Sequence, residues 1–191
     1  MSKVMATMSM SLDGFITGPN PSQANPLGTN GERLHDWIFD NPNQENLQAV
    51  DLKKHTGAAI IGYNMYYEAI PHWGGTGALG DDIPNFVLAE ADKVPQDAPK
   101  AFRFVTDGIE SALKQARAVA GDKDIWIGGG AHTIQQFLKA GLLDELQLNV
   151  VPILLGGGTP MFGETGEFME FEQADVEAGK GVAHLTYRLK S

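Results

Sequence analysis

Apolar and polar positions are arranged along the chain in a pattern that predicts strands separated by helices. Between residues 3 and 10, every second residue is apolar, and the residues between them are partly apolar and partly polar. This pattern suits a strand covered on both faces. The run 58–61 has no polar position and predicts a buried strand that ends at Gly62. Further strands are predicted over 84–88, 102–106, 125–127 and 146–150, and the tail 168–189 predicts an antiparallel hairpin turning near 179–181.

Helical spacing occupies the segments between these strands. The spacing of Leu34 and Trp37 predicts a short helix over 31–39. Asp107 and Glu110 have the spacing of a capping box and predict the start of a longer helix. That longer helix is predicted to end at Gly121, and other helices are predicted over 44–54, over 65–70 with a break at Pro71, and from the glycines at 128–130 to Gly141.

This order of elements predicts one α/β domain over residues 1–191. We expect a mainly parallel central sheet, flanking helices and a C-terminal antiparallel hairpin. The segment 18–30 holds three prolines and shows no periodicity. Because long loops inside compact domains are uncommon and often functional, we expect it to be a loop or lid over a site.

Composition narrows the classes of partner and site. The net charge is −10, from 24 acidic and 14 basic residues, so nucleic acid and anionic membranes are poor partners. The chain has no Cys, which excludes disulfides and thiolate chemistry, and His55, His72 and His184 share no ligand spacing, so no metal site is predicted. No apolar run approaches eighteen residues and no basic leader precedes one, so we predict a cytoplasmic protein.

Glycines at the ends of two predicted strands are the strongest local signal for a ligand site. Gly128, Gly129 and Gly130 stand between a strand and a helix, where bare backbone and free helix N–H groups suit a pyrophosphate. His132 in the first turn could also reach a phosphate. Taken alone, a triple glycine more often marks tight strand–helix packing, but Gly62 repeats the strand–Gly–helix arrangement. Ligands of α/β proteins bind at such strand ends.

Two carboxylates are candidates for acid–base work. Asp13 lies in a turn after the first strand, where it either bonds its own backbone, which is the commoner case, or contacts a ligand. His35 and Asp36 precede Trp37 on the short helix and are candidates for a general acid or for substrate contact, with solvation at the surface as the alternative. No nucleophile elbow or P-loop is present.

Six segments together resemble a known family. The chain is similar to the reductase domain at the C-terminus of the bacterial bifunctional riboflavin-biosynthesis deaminase–reductase, and to related stand-alone dihydrofolate reductase-like proteins. The matching segments are 8–16, 60–62, 104–108, 127–130, 141–146 and 151–158. The resemblance covers essentially the whole chain and implies a dihydrofolate reductase-like fold and an NADPH-dependent reductase.

The resemblance also implies roles for individual residues in cofactor binding. Gly128, Gly129 and Gly130 would lie along the pyrophosphate with the helix start at Ala131, His132, Thr133 and Ile134. The adenosine side would be reached by Gly62, Tyr63, Asn64, Met65 and Leu88, and the nicotinamide would be bordered by Thr7, Ile16 and Thr17. Asp13 and Asp36 are the candidate proton donors.

The chain departs from the family at the cofactor's 2′-phosphate. Relatives often have an Arg directly after the strand-ending Gly, but this chain has Tyr63 and Asn64 there, with Glu90 nearby. NADPH is the predicted cofactor and NADH is an alternative, because a fixed positive charge is lost unless Lys93 or Arg103 supplies it.

A second departure concerns the substrate. Dihydrofolate reductases have a carboxylate one turn before an aromatic residue of the first helix, and Leu34 takes that place here if Trp37 is the aromatic. Reduction of a heterocyclic or sugar-imine substrate, such as 5-amino-6-(5-phosphoribosylamino)uracil in riboflavin biosynthesis, is therefore the first hypothesis. Dihydrofolate reduction and a non-catalytic nucleotide-binding module are the alternatives. A homodimer is expected, because family members commonly pair and 146–155 is largely apolar.

Overall fold

One eight-stranded sheet organises the computed structural model, which describes residues 2–40, 51–163, 166 and 168–190. Its strands are β1 Val4–Ser11, β2 Thr56–Gly62, β3 Asn85–Leu88, β4 Phe102–Val105, β5 Asp124–Gly129, β6 Glu145–Val151, β7 Phe171–Gly179 and β8 Val182–Leu189. The helices in these ranges are α1 Asp36–Phe39, α2 Leu52–His55, α3 Tyr63–Trp73, α4 Ile109–Ala120 and α5 Ala131–Lys139, with 3-10 turns at Gly31–His35 and Ala91–Lys93.

The strand order confirms the predicted α/β architecture. The sheet runs β4-β3-β2-β5-β1-β6-β8-β7. The first six of these strands are parallel, and β8 and β7 form an antiparallel hairpin at one edge. Because β2 and β5 are parallel neighbours, with Ile61 opposite Gly129, their carboxyl ends lie side by side.

Helices α4 and α5 cover one face of this sheet. Ala112, Leu113 and Ala116 of α4, and Ile134 and Phe137 of α5, are buried in the main core. Burying a large aliphatic or aromatic side chain stabilises a fold by about 1.5–3 kcal/mol, so this layer fixes the position of the sheet. The carboxyl ends of the strands are followed by loops or by the first turns of helices.

Helix α3 extends further than the sequence predicts. We expect a break at Pro71, but the helix runs on to Trp73 and ends at Gly74, which has a φ of 61°. A proline lacks the N–H that would bond the carbonyl four residues earlier, here that of Tyr67. The Gln23 side-chain amide donates to this carbonyl at 3.0 Å instead, so the loop 18–30 is attached to α3 where the proline leaves an acceptor free.

Two helix starts also differ from the prediction. Helix α4 begins after Gly108, whose φ of 102° favours glycine, and no side chain caps it; the capping box of Asp107 and Glu110 is therefore wrong. Strand β5 extends through Gly129, so only Gly130 separates it from α5. Most of the predicted helix 44–54 lies outside the described residues, and α2 is the helical part that the structure describes.

The apolar segment 146–155 does not provide a free sheet edge for a dimer. Its strand β6 pairs with β1 on one side and with β8 on the other. The edge strands of the described sheet are β4 and β7. A homodimer stays a prediction from the resemblance alone.

A buried histidine on the second face of the sheet predicts acid sensitivity. His184 is 3% exposed, its Nδ1 lies 2.7 Å from Asn149 Oδ1, and its ring lies edge-on to Trp37. Burial lowers the pKa of His184 below its usual 6.5, and Glu177 opposes this only in part. Burial lowers the pKa of His35 as well.

The unfolded chain therefore binds more protons than the folded chain below about pH 6.5. We expect the free energy of unfolding to be maximal above that pH and to fall as the pH decreases, by at most about 1.4 kcal/mol per pH unit for each histidine. Urea unfolding at pH 7.5 and 5.5 measures the loss, which should be smaller in His184→Gln. An equal loss in that variant would contradict this assignment.

Candidate active site

The carboxyl ends of β2 and β5 meet at an edge of bare backbone, which is called the glycine crevice below. A Cβ on Gly62 would lie 2.6 Å from Thr133 Oγ1, and 3.7 Å from the carbonyl oxygen of Gly129, so the two strand ends are in contact. Gly130, by contrast, has open space where a Cβ would point. Each strand leads directly into a helix, α3 or α5, so two helix N-termini meet at this edge.

Free backbone donors lie at the start of α5. Ile134 donates the first helical hydrogen bond, to the Gly130 carbonyl at 3.3 Å, so the N–H groups of Ala131, His132 and Thr133 precede it. Unpaired N–H groups at the positive end of a helix favour an anion. Of these residues, only His132 has an exposed side chain.

Two of the predicted cofactor residues, Gly128 and Ile134, are buried. A Cβ on Gly128 would lie 2.8 Å from the Trp126 ring and 3.1 Å from Ile61, so this glycine is required for packing within the sheet. Ile134 is fully buried, and its N–H is used by the helix. Gly128 and Ile134 therefore lie in the core behind the strand ends.

Methionine side chains cover the crevice at Gly129. A Cβ on Gly129 would lie 2.7 Å from Met8 Cε and 3.6 Å from Met65 Sδ, and its φ is 113°. Both side chains are flexible and half-buried, so they can adjust to a planar ring. Thr7 and Ile16 are buried, and Thr7 Oγ1 donates to Gln147 Oε1 at 3.3 Å.

The loop after β1 is bound to the loop after β6. Thr17 Oγ1 donates to Thr159 Oγ1 at 2.9 Å and accepts from the Thr159 N–H at 3.2 Å. A Cβ on Gly158 would lie 2.0 Å from the Thr17 carbonyl oxygen, so the second loop must have glycine there. These contacts fix Thr17 against the loop after β6.

Asp13 belongs to this loop pairing. Its carboxylate accepts hydrogen bonds from Ser11 Oγ at 2.6 Å, the Leu155 N–H at 3.1 Å and the Gly156 N–H at 2.7 Å. The hydrogen bond from Ser11 lowers the pKa of Asp13 and outweighs the desolvation that raises it; the two N–H donors lower it further. A carboxylate held ionised in this way is unsuited to donating a proton, and its backbone donors lie in the loop after β6, not in its own turn.

We expect Asp13→Asn to lower the stability of the protein more than it lowers the rate of the reaction. The amide nitrogen would face a backbone N–H that needs an acceptor, so the melting temperature should fall. If the protein reduces a substrate, kcat should fall less than tenfold, because loss of a general acid typically costs about 10²–10⁴-fold. Ser11→Ala is the matched control, since it removes one of the three donors. A kcat loss above a hundredfold in Asp13→Asn alone would restore Asp13 as the acid.

Asp36 lies in a different cleft. It pairs with Arg33 and lines a cleft of about 250 Å³ beside Trp37 and the β7–β8 turn, which includes Lys180. None of the predicted cofactor residues lines that cleft. The structure therefore does not bring Asp36 together with the glycine crevice.

The predicted adenosine corner holds one cation close to an aromatic ring. Leu88 pairs with Gly62 across β3 and β2, and Asn64 is exposed in the first turn of α3. Lys93 Nζ lies 5.8 Å from the centre of the Tyr63 ring and forms an ion pair with Glu90 at 3.1 Å. Arg103 lies over Phe86 on β3. Lys93 is thus the cation beside Tyr63, and its charge is partly compensated by the ion pair with Glu90.

Sequence reasoning missed a set of polar side chains on the second face of the sheet. Ser9, Asn149 and His184 are 5% exposed or less, and Thr7 contacts Gln147 beside them. The signal for them in the sequence is the set of polar residues that alternates with the apolar ones along each of these strands. Among the described residues, no group of three or more His, Asp or Glu side chains could hold a metal ion.

A profile of the RibD C-terminal domain family matches residues 2–185. The chain therefore belongs to this family. Bacillus subtilis (strain 168) YyaP is 32% identical over 85 residues, which are 44% of this chain and 45% of that protein. The alignment thus spans less than half the length of this relative.

Solved structures share the fold over the whole chain. A protein from Shewanella sp. PV-4, assigned provisionally to riboflavin biosynthesis, is 27% identical with a TM-score of 0.74, and the match covers 99% of each chain. The Thermotoga maritima diaminohydroxyphosphoribosylaminopyrimidine deaminase/5-amino-6-(5-phosphoribosylamino)uracil reductase is 15% identical with a TM-score of 0.66, over 99% of this chain and 57% of that one. Enterococcus faecalis dihydrofolate reductase, complexed with NADP(H), is 14% identical with a TM-score of 0.62, over 99% and 97%. The fold is therefore dihydrofolate reductase-like.

No helix among the described residues is long and apolar enough to span a membrane.

Proposed function

We propose that the protein is an NAD(P)H-dependent reductase that transfers a hydride to a small heterocyclic substrate of the aminopyrimidine type. The observation that carries the proposal is the crevice in which Gly62 contacts the Gly129–Gly130 strand end at the starts of two helices. A bare backbone edge with free N–H donors suits a pyrophosphate. Membership of the RibD C-terminal domain family and the NADP(H) complex of the Enterococcus protein support the same cofactor class.

The residues present fit such a cofactor. Ala131, His132 and Thr133 would hold the pyrophosphate through backbone N–H groups, and Gly130 leaves room for it. Tyr63, Asn64 and Met65 in the first turn of α3 would contact the adenosine side. When bound, NAD(P)H would supply the hydride, and the protein would orient the reactants and exclude water.

The proton that completes the reduction must come from a group other than the two candidate carboxylates. Asp13 is held ionised by three donors, and Asp36 is paired with Arg33 in a separate cleft. We propose a water molecule at the substrate as the immediate donor.

The test combines binding with turnover. Each nucleotide at about 100 times its Kd should stabilise the protein by roughly 2.7 kcal/mol, which is about 5–10 °C for a chain of this size. NADPH oxidation should then follow addition of 5-amino-6-(5-phosphoribosylamino)uracil, the substrate in the name of the Thermotoga relative. Stabilisation without oxidation of the nucleotide by this or other imine, pterin or quinone acceptors would favour a binding module. No stabilisation by either nucleotide would contradict the proposal.

A further inference from the structure

A second cleft lies at the opposite end of the parallel strands from the glycine crevice. It has a volume of about 420 Å³ and opens on the sheet face that α4 and α5 do not cover. Its walls include the starts of β1, β5 and β6 and the end of β8. The lining residues used below are Lys3, Glu145, Asp175, Glu177, His184 and Arg188.

The register of the hairpin brings acidic side chains to the histidine in this cleft. Glu177 on β7 lies directly opposite His184 on β8, and Asp175 lies opposite Thr186. Residues directly opposite in an antiparallel pair share a face, with Cβ atoms about 4.5–5.5 Å apart. His184, Thr186 and the two carboxylates therefore form one polar surface of the cleft.

The two cations used here, Lys3 and Arg188, share one carboxylate, that of Glu145. Glu145 accepts hydrogen bonds from Lys3 Nζ at 2.9 Å and from the Arg188 guanidinium at 2.8 and 3.1 Å. Asp175 and Glu177, by contrast, have no ion-pair partner within the described ranges of the chain. The charge left for a ligand in this part of the cleft is therefore negative.

His184 adds an unused acceptor. Its Nδ1 contacts the side-chain oxygen of Asn149, so Nδ1 carries the proton and donates. The other nitrogen, Nε2, then has a free lone pair, and it is buried with no hydrogen-bond partner. Leaving a buried polar atom unpaired is costly in a folded protein, which is an independent sign that a ligand donor belongs there.

We propose that this cleft binds a small organic ammonium ion, with its N–H groups donating to His184 Nε2 and its charge held by Glu177 and Asp175. An ammonium has only donors and one positive charge, which matches an acceptor and two carboxylates. A diamine would also fit the volume. The site lies apart from the glycine crevice and does not depend on the proposed reductase activity.

The test is a titration of the full-length protein with 1,4-diaminobutane, using butane-1,4-diol as the uncharged analogue. We expect calorimetry to show one saturable diamine site and no diol binding. In nitrogen-15 spectra, His184 Nε2 should shift with the diamine only. Glu177→Gln and Asp175→Asn should each weaken binding about tenfold or more. Both residues are exposed, so these variants should fold.

Glu110→Gln on α4 is the matched control, because it removes an exposed carboxylate outside the cleft. It should leave the diamine affinity unchanged. Equal weakening by Glu110→Gln would mean diffuse attraction to an acidic protein and would overturn the proposal. So would equal binding of the diol, an unchanged affinity in Glu177→Gln, or binding that leaves the His184 Nε2 signal in place.

Discussion

Gly130→Val is expected to abolish stabilisation by NADPH and NADH while the protein stays folded. The position has open space around the new side chain and lacks a positive φ, so the backbone accepts a residue there. The isopropyl group would occupy the space in front of the free N–H groups of α5. Loss of the glycine at the helix N-cap should itself cost about 1 kcal/mol. We expect nucleotide affinity to fall at least about a hundredfold, measured by calorimetry.

The control for this variant is Gly163→Val. Gly163 also lacks neighbours around a new Cβ and has no positive φ, but it lies outside the two strand ends. It should bind the nucleotides as the unmodified protein does. Wild-type affinity in Gly130→Val would show that the pyrophosphate lies elsewhere.

Asn64→Arg is expected to raise the affinity for NADPH about tenfold to hundredfold and to leave that for NADH nearly unchanged. Only the 2′-phosphate offers the new guanidinium an anion, and a charge-assisted hydrogen bond contributes roughly 1.5–3 kcal/mol. In the unmodified protein, Lys93 is the cation beside Tyr63 and is paired with Glu90, so discrimination between the nucleotides should be weak. Trp fluorescence titrations with both nucleotides measure the change.

Asn64→Gln controls for side-chain length without adding charge. It should keep the weak discrimination of the unmodified protein. A gain of NADPH affinity in both variants would mean that the longer side chain, and not its positive charge, causes the effect. A preference for NADPH above about a thousandfold in the unmodified protein, or about 4 kcal/mol, would show that another residue already binds the phosphate.

Period-two and helical patterns were sufficient to predict the sheet and its antiparallel edge. The pairing of strands was not available from them: 146–155 reads as an apolar segment, and only the order of the sheet shows that β6 lies inside it. Helix α3 shows a similar limit. Pro71 ends a helix in isolation, but Gln23, 48 positions earlier, supplies the missing donor through a tertiary contact.

The candidate site was predictable where backbone chemistry defines it and less so where side chains do. Gly62 and Gly130 lie at the crevice as their place between strand and helix suggests. Gly128 looks the same in sequence, yet it faces Trp126 inside the sheet. Asp13 is similarly ambiguous, because its partners at Leu155 and Gly156 are 142 and 143 positions away.

The central claim is that a nicotinamide nucleotide binds across the glycine crevice. Nitrogen-15 amide spectra recorded during an NADPH titration test it most directly. We predict the largest shifts at the amides of Gly62, Gly130, Ala131 and His132, with saturation at one nucleotide per chain. Shifts that are absent, or that centre on the cleft around Asp36 instead, would contradict the account.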